Sequence, residues 1–173
     1  MKTTRFNDLE ALRIAVQIER QGERFYRIMA RMVDNAQEQK ALTLLAEQEI
    51  EHMHRFGSMH EQVLEAHQKE GTPPRYYGER ANALLSAVSM DIIFPQGIIA
   101  TFQKHKADTL PEAIDYAMQL EKNSIFFYQQ VLMNTSQPRC QDIFNTIIEE
   151  EMDHLQELTQ WLEQIAIDYK NRA

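Results

Sequence analysis

Two short stretches, Glu49-Ile50-Glu51-His52 and Glu151-Met152-Asp153-His154, decide the reading of this 173-residue chain. On a helix, residues three apart are about one turn apart, so the Glu and the His of each Glu-x-x-His leave from one face. A carboxylate and an imidazole presented together suit iron, manganese or zinc. One such word is common; two at a constant shift need an explanation. Subtracting 49 from 151 and 52 from 154 gives 102 both times, and the same shift carries Glu19 onto Glu121, Phe25 onto Phe127 and Tyr26 onto Tyr128. Asn7-x-x-Glu10 and Thr109-x-x-Glu112 read as capping boxes at matching helix starts. Residues 7–56 and 109–158 therefore recur without a gap, as an internal duplication of a two-helix unit.

Working outward, a first helix is expected from Asp8 to Val33, with Leu9, Leu12, Val16, Glu19, Tyr26 and Met29 on one stripe. Asp34-Asn35 supplies a turn. A second helix from Ala36 carries Leu42, Leu45, Glu49, His52, Met53 and Phe56, and continues through Val63 and Leu64 to a stop at Gly71. After Thr72-Pro73-Pro74 the repeat is interrupted: Glu79–Met90 reads as a short helix, Pro95 as a breaker and Ile98–Lys106 as another helical piece. The second copy supplies helices over Leu110–Met133 and Arg139–Tyr169, the latter with Trp161, Leu162 and Ile165 inward. Two short turns and one long connection predict an all-α fold, an antiparallel four-helix bundle with a crossover between its second and third helices. The organisation is one domain over 1–173: a helix pair at 7–70, the crossover at 71–108 and a helix pair at 109–169.

Composition agrees. With 43% hydrophobic residues the chain can bury one substantial core, and five Gly and five Pro favour long regular elements. A net charge of −8 argues against nucleic acid as a partner, since no basic stripe exists to neutralise phosphates. The single cysteine, Cys140, rules out a disulfide framework within the chain and reads as a small, semi-buried helix residue. No apolar signal core follows Met1 and no stretch approaches a membrane span, so a cytoplasmic protein without a membrane partner is expected.

The duplicated unit brings together Glu19, Glu49, His52, Glu121, Glu151 and His154. Four carboxylates at one level of a bundle would repel one another strongly unless neutralised. Two divalent cations match their charge, with Glu49 and Glu151 bridging and one terminal Glu and one His left for each ion. Oxygen ligands with one imidazole per ion suit two iron ions, with manganese or zinc as the alternatives. Tyr26 and Tyr128, each seven residues after its copy's first glutamate, are the candidate catalytic residues, with hydroxyls in reach of ligand carboxylates. Glu23, whose repeat partner is Ile125, reads as solvated; His54, Glu47 and Glu149 read as helix surface.

The order Glu, Glu-x-x-His, Glu, Glu-x-x-His resembles the ferritin-like superfamily of di-iron carboxylate proteins. The surrounding words resemble the rubrerythrin family: Phe25-Tyr26 after Glu19, Leu45-Ala46-x-x-Glu49-x-x-His52, Phe127-Tyr128 after Glu121, and Glu149-Glu150-Glu151-x-x-His154-Leu155. That resemblance implies a ferritin-like bundle with a di-iron centre, assembly as a homodimer, and oxidation of Fe(II) by hydrogen peroxide or O2. Two departures stand out. A rubredoxin domain with Cys-x-x-Cys pairs is missing, so a separate protein is expected to donate electrons. Ser124 stands where the family tends to carry a further Glu, which leaves the six-ligand set of bacterioferritin-type ferroxidase centres. The expected function is a di-iron oxidoreductase of peroxidase or ferroxidase type. The alternatives are an iron-storage protein with a ferroxidase site and a non-catalytic ferritin-like binding module.

Overall fold

Helix boundaries follow from local chemistry. In the computed structural model, residues 6–93 and 110–172 are described, the side chains of 89–93 and 168–172 excepted. Helix α1 (Asp8–Met32) begins where Asn7 Oδ1 accepts the Glu10 N–H at 2.9 Å, satisfying one of the donors that a helix start leaves free. Helix α2 (Ala36–Glu70) begins the same way at Asn35, which accepts from Gln37 and Glu38. It ends at Gly71, whose φ of 65° closes the last turn at no cost to a residue without a Cβ. Helix α3 (Glu79–Ile93) lies in the connection, α4 (Leu110–Asn134) has Pro111 in its first turn, and α5 (Pro138–Arg172) starts on a proline, whose missing N–H is harmless there. Thr109, Pro95 and the helical piece expected at Ile98–Lys106 lie outside the described residues.

The fold is all-helical and ferritin-like, as expected: α1 pairs with α2 and α4 with α5 as antiparallel hairpins. The hairpins meet through α1 against α4 and α2 against α5, while α3 packs on α4 and α1. Among the described residues, no helix is long and apolar enough to cross a membrane. The duplication is visible in the lengths, 25 and 35 residues in each hairpin. Each long helix overhangs its short partner, so its last turns have fewer neighbours. That accounts for the exposure of Leu64 and for the partial burial of Trp161, Leu162 and Ile165, all expected inward. Leu9 and Val16 are also half-buried, because the core-facing stripe of α1 is wider and centred on Ala11, Ile14, Ala15 and Ile18. Cys140 is fully rather than partly buried, and burial pushes its thiol up to about 12.

Among the described residues the apolar core forms two compartments. One gathers Leu12, Phe56, Phe127, Tyr128, Phe144 and Ile147; the other gathers Phe25, Tyr26, Met29, Leu42, Leu45 and Ile114. Between them lies a layer of buried polar side chains, which is where the repeated motif falls. Phe56 is fully buried with its ring 5.3 Å from Tyr128 and 5.1 Å from Phe144. Phe56→Ala is expected to destabilise the metal-free chain by about 3–5 kcal/mol, read as a lower denaturation midpoint at unchanged m-value.

Candidate metal centre

Helices α1 and α4 each contribute one glutamate, Glu19 and Glu121, while α2 and α5 each contribute a Glu-x-x-His pair. The four glutamates and two histidines expected from the repeat are all brought together and almost completely buried, with Glu121 the most exposed at 4%. They form two overlapping groups in which one potential ligand atom per residue lies within 4.8 Å of every other. One holds Glu19, Glu49, His52 and Glu151; the other holds Glu49, Glu121, Glu151 and His154. Glu49 and Glu151 belong to both.

Both imidazoles turn Nδ1 towards the carboxylates. His52 Nδ1 lies 2.9 Å from Glu151, 3.4 Å from Glu19 and 3.7 Å from Glu49. His154 Nδ1 lies 3.0 Å from Glu151, 3.6 Å from Glu49 and 3.8 Å from Glu121. The two rings stack at 5.6 Å with 21° between their planes. No lysine or arginine is among the buried residues described, so among the described residues only the imidazoles offer buried positive charge to the four carboxylates. Glu151 Oε1, although close to His52 Nδ1, has no hydrogen-bond partner among the described residues. An acidic pocket of four carboxylates with two imidazoles aimed into it fits a pair of metal ions.

The tyrosines bind across the repeat. Tyr26 on α1 donates to Glu121 on α4, and Tyr128 on α4 donates to Glu19 on α1. Burial, then the charge of the carboxylate each one faces, raises both phenols well above their ordinary range, so they remain donors. Burial likewise raises Glu49, Glu121 and Glu151, helped at Glu49 and Glu121 by the charge of Glu151 and at Glu151 by that of Glu19. Burial opposes ionisation of Glu19 too, yet hydrogen bonding with Glu49, His52 and Tyr128 holds its carboxyl below the ordinary value. His52 is raised: burial works against its cation, and the carboxylates of Glu151, Glu19 and Glu49 outweigh it.

Glu23 pairs with Arg27 rather than entering the pocket, and His54, Glu47 and Glu149 are exposed. Two features escaped the sequence reading. Gly22, one turn after Glu19, is the repeat counterpart of Ser124, one turn after Glu121. A Cβ on Gly22 would stand 3.1 Å from the Glu49 carboxyl carbon. Gly22 and Ser124 line a cavity of about 10 Å³ beside Glu19, Glu49 and Glu121, at the threshold for one water molecule. Paired small residues at the shift of 102 were the available signal. The second feature, Glu150 with Arg55 behind His52, breaks the repeat and so gave no signal.

A family model described as Rubrerythrin matches residues 10–162. A crystal structure from Thermotoga maritima, described as a ferritin-like diiron-carboxylate protein, superimposes with a TM-score of 0.70 at 25% identity, covering 92% of this chain and 96% of that one. No curated protein matches the sequence.

The raised groups make a pH prediction. Glu49, Glu121, Glu151 and His52 hold protons more firmly folded than unfolded, so their contribution is complete below the ordinary values of 4.5 and 6.5 and is lost as pH rises towards the raised ones. Among the four carboxylates of the pocket, Glu19 alone acts in the opposite sense. The metal-free chain should melt at a lower temperature at about pH 8 than at about pH 6. Saturating Mn(II) should raise the melting temperature more at the higher pH, where its ligands are deprotonated. Thermal scans at the two pH values, with and without metal, check both.

Proposed function

Because the chain belongs to the rubrerythrin family, we propose that it is a di-iron carboxylate oxidoreductase whose ferrous centre is oxidised by hydrogen peroxide or O2. The observation that carries this reading is the pair of overlapping four-residue groups that share Glu49 and Glu151. Glu19 and His52 would hold one ion, Glu121 and His154 the other, and Glu49 and Glu151 would bridge. Two bound iron ions would supply Fe(II)/Fe(III) cycling, and with it the electrons that reduce the oxidant.

The remaining work falls to the chain's own groups. Each tyrosine hydroxyl fixes the terminal carboxylate of the opposite copy and holds a proton against it, which makes Tyr26 and Tyr128 the proposed catalytic residues. The aromatic compartments on either side exclude bulk water, so electrostatic interactions within the layer are stronger than at a surface. Gly22 and Ser124, being small, leave beside the carboxylates a space of about 10 Å³, about enough for one water molecule. Electrons return from a separate donor protein, and the working form is a homodimer in the cytoplasm.

A ferroxidase emphasis has one observation in its favour. The Ser124 hydroxyl donates to the Leu120 carbonyl at 3.0 Å and adds no carboxylate where the family tends to have one. The chain then offers six metal-binding side chains rather than seven.

Anaerobic protein is expected to bind two Fe(II) per chain and to develop ferric near-ultraviolet absorption when peroxide or O2 is added. Glu121→Ala should bind fewer than two ions and slow oxidation by more than about tenfold, the lower end of what losing even an outer partner of a metal ligand costs. Undiminished iron content in that variant would refute the assignment.

A further inference from the structure

Duplication predicts two equal imidazole environments, and on the carboxylate side each ring does present Nδ1, with Glu151 the nearest carboxylate to both. On the far side they differ. His52 Nε2 lies 2.9 Å from Glu150 Oε2, and Arg55 grips the same carboxylate with both terminal nitrogens, Nη1 at 3.1 Å from Oε1 and Nη2 against Oε2. His154 Nε2 is buried and has no hydrogen-bond partner among the described residues. The shift of 102 shows how the copies parted. Glu150 corresponds to Gln48, a neutral amide, and Arg55 corresponds to Glu157, an acid in place of a base.

Resting on the di-metal reading above, we propose that the two metal positions are unequal and that Glu150, held by Arg55, is the positioning residue that makes them so. An imidazole that binds a cation through Nδ1 carries its proton on Nε2. An ionised carboxylate accepting a hydrogen bond from that N–H fixes the tautomer, locks the ring and makes Nδ1 the stronger donor. Arg55 holds the Glu150 carboxylate in place against His52, which its position near the surface would not otherwise guarantee: its side chain is 38% exposed. At His154 the same N–H is buried and meets no acceptor among the described residues, so ligation there forgoes the benefit. The position built on Glu19 and His52 therefore fills first, and the one built on Glu121 and His154 fills last and empties first. Outer partners of this kind are worth about 10–100-fold in metal affinity, which sets the expected ratio between the two sites.

The test is an anaerobic titration with Mn(II) alone, followed by calorimetry, with a parallel Zn(II) titration of protein carrying ¹⁵N-labelled histidine. Wild-type protein is expected to take two Mn(II) in separate phases whose constants differ by about 10–100-fold, and the first equivalent of Zn(II) is expected to shift His52 before His154. Glu150→Gln, equal in shape but uncharged, should weaken only the tighter phase, so that the two merge. The double variant Gln48→Glu with Glu157→Arg writes the missing pair into the other copy and should strengthen the weaker phase by a similar factor, a gain that loss of fold cannot imitate. Two equal constants in wild type, or a Glu150→Gln titration that matches it, would overturn the proposal and leave the di-metal reading standing. Fewer than two ions bound to wild type would remove the reading itself, and the proposal with it.

Discussion

Four carboxylates buried at one level of a helical bundle are the constraint to which the rest of the molecule answers. Each would be expensive to ionise alone in that setting, and together they repel. Some partial answers are built in: the imidazoles of His52 and His154 face the carboxylates, and the two tyrosines donate hydrogen bonds without adding charge. The raised affinity of Glu49, Glu121 and Glu151 for protons shows that these answers fall short. The deficit is what a pair of divalent ions would meet, and it links the stability of the fold to the chemistry of the site.

The apolar compartments matter because they surround this layer. Phe127, Tyr128, Phe56 and Phe144 pack on one side and Phe25, Tyr26 and Leu45 on the other, so the tyrosines belong to the core and the site at once. Their crossed hydrogen bonds, from α1 to Glu121 and from α4 to Glu19, tie the two hairpins together at the level of the carboxylates. Precision at such a site depends on side chains whose own rotamers are held by packing.

The duplicated origin also explains where symmetry ends. The inward residues match because each copy has to complete the same pocket. The outward residues are under no such demand, and there Glu150 and Arg55 lost or gained their counterparts Gln48 and Glu157. A structure can thus be two-fold in its inward polar residues and one-sided in what lies behind them.

The helical fold, the short turns and all six inward polar residues were legible in the sequence, because a 3.6-residue period fixes which side chains share a face and the shift of 102 identifies the matching faces. Tertiary structure alone decided three things. It set the crossed tyrosine pairs, since which of several nearby carboxylates a hydroxyl meets depends on how the hairpins are docked. It revealed the tight approach of Glu49 to Gly22, which depends on interhelical distance. And it placed Glu150 of α5 against His52 of α2, 98 residues apart. Periodicity within a helix says which way a side chain points, but not which neighbour waits there.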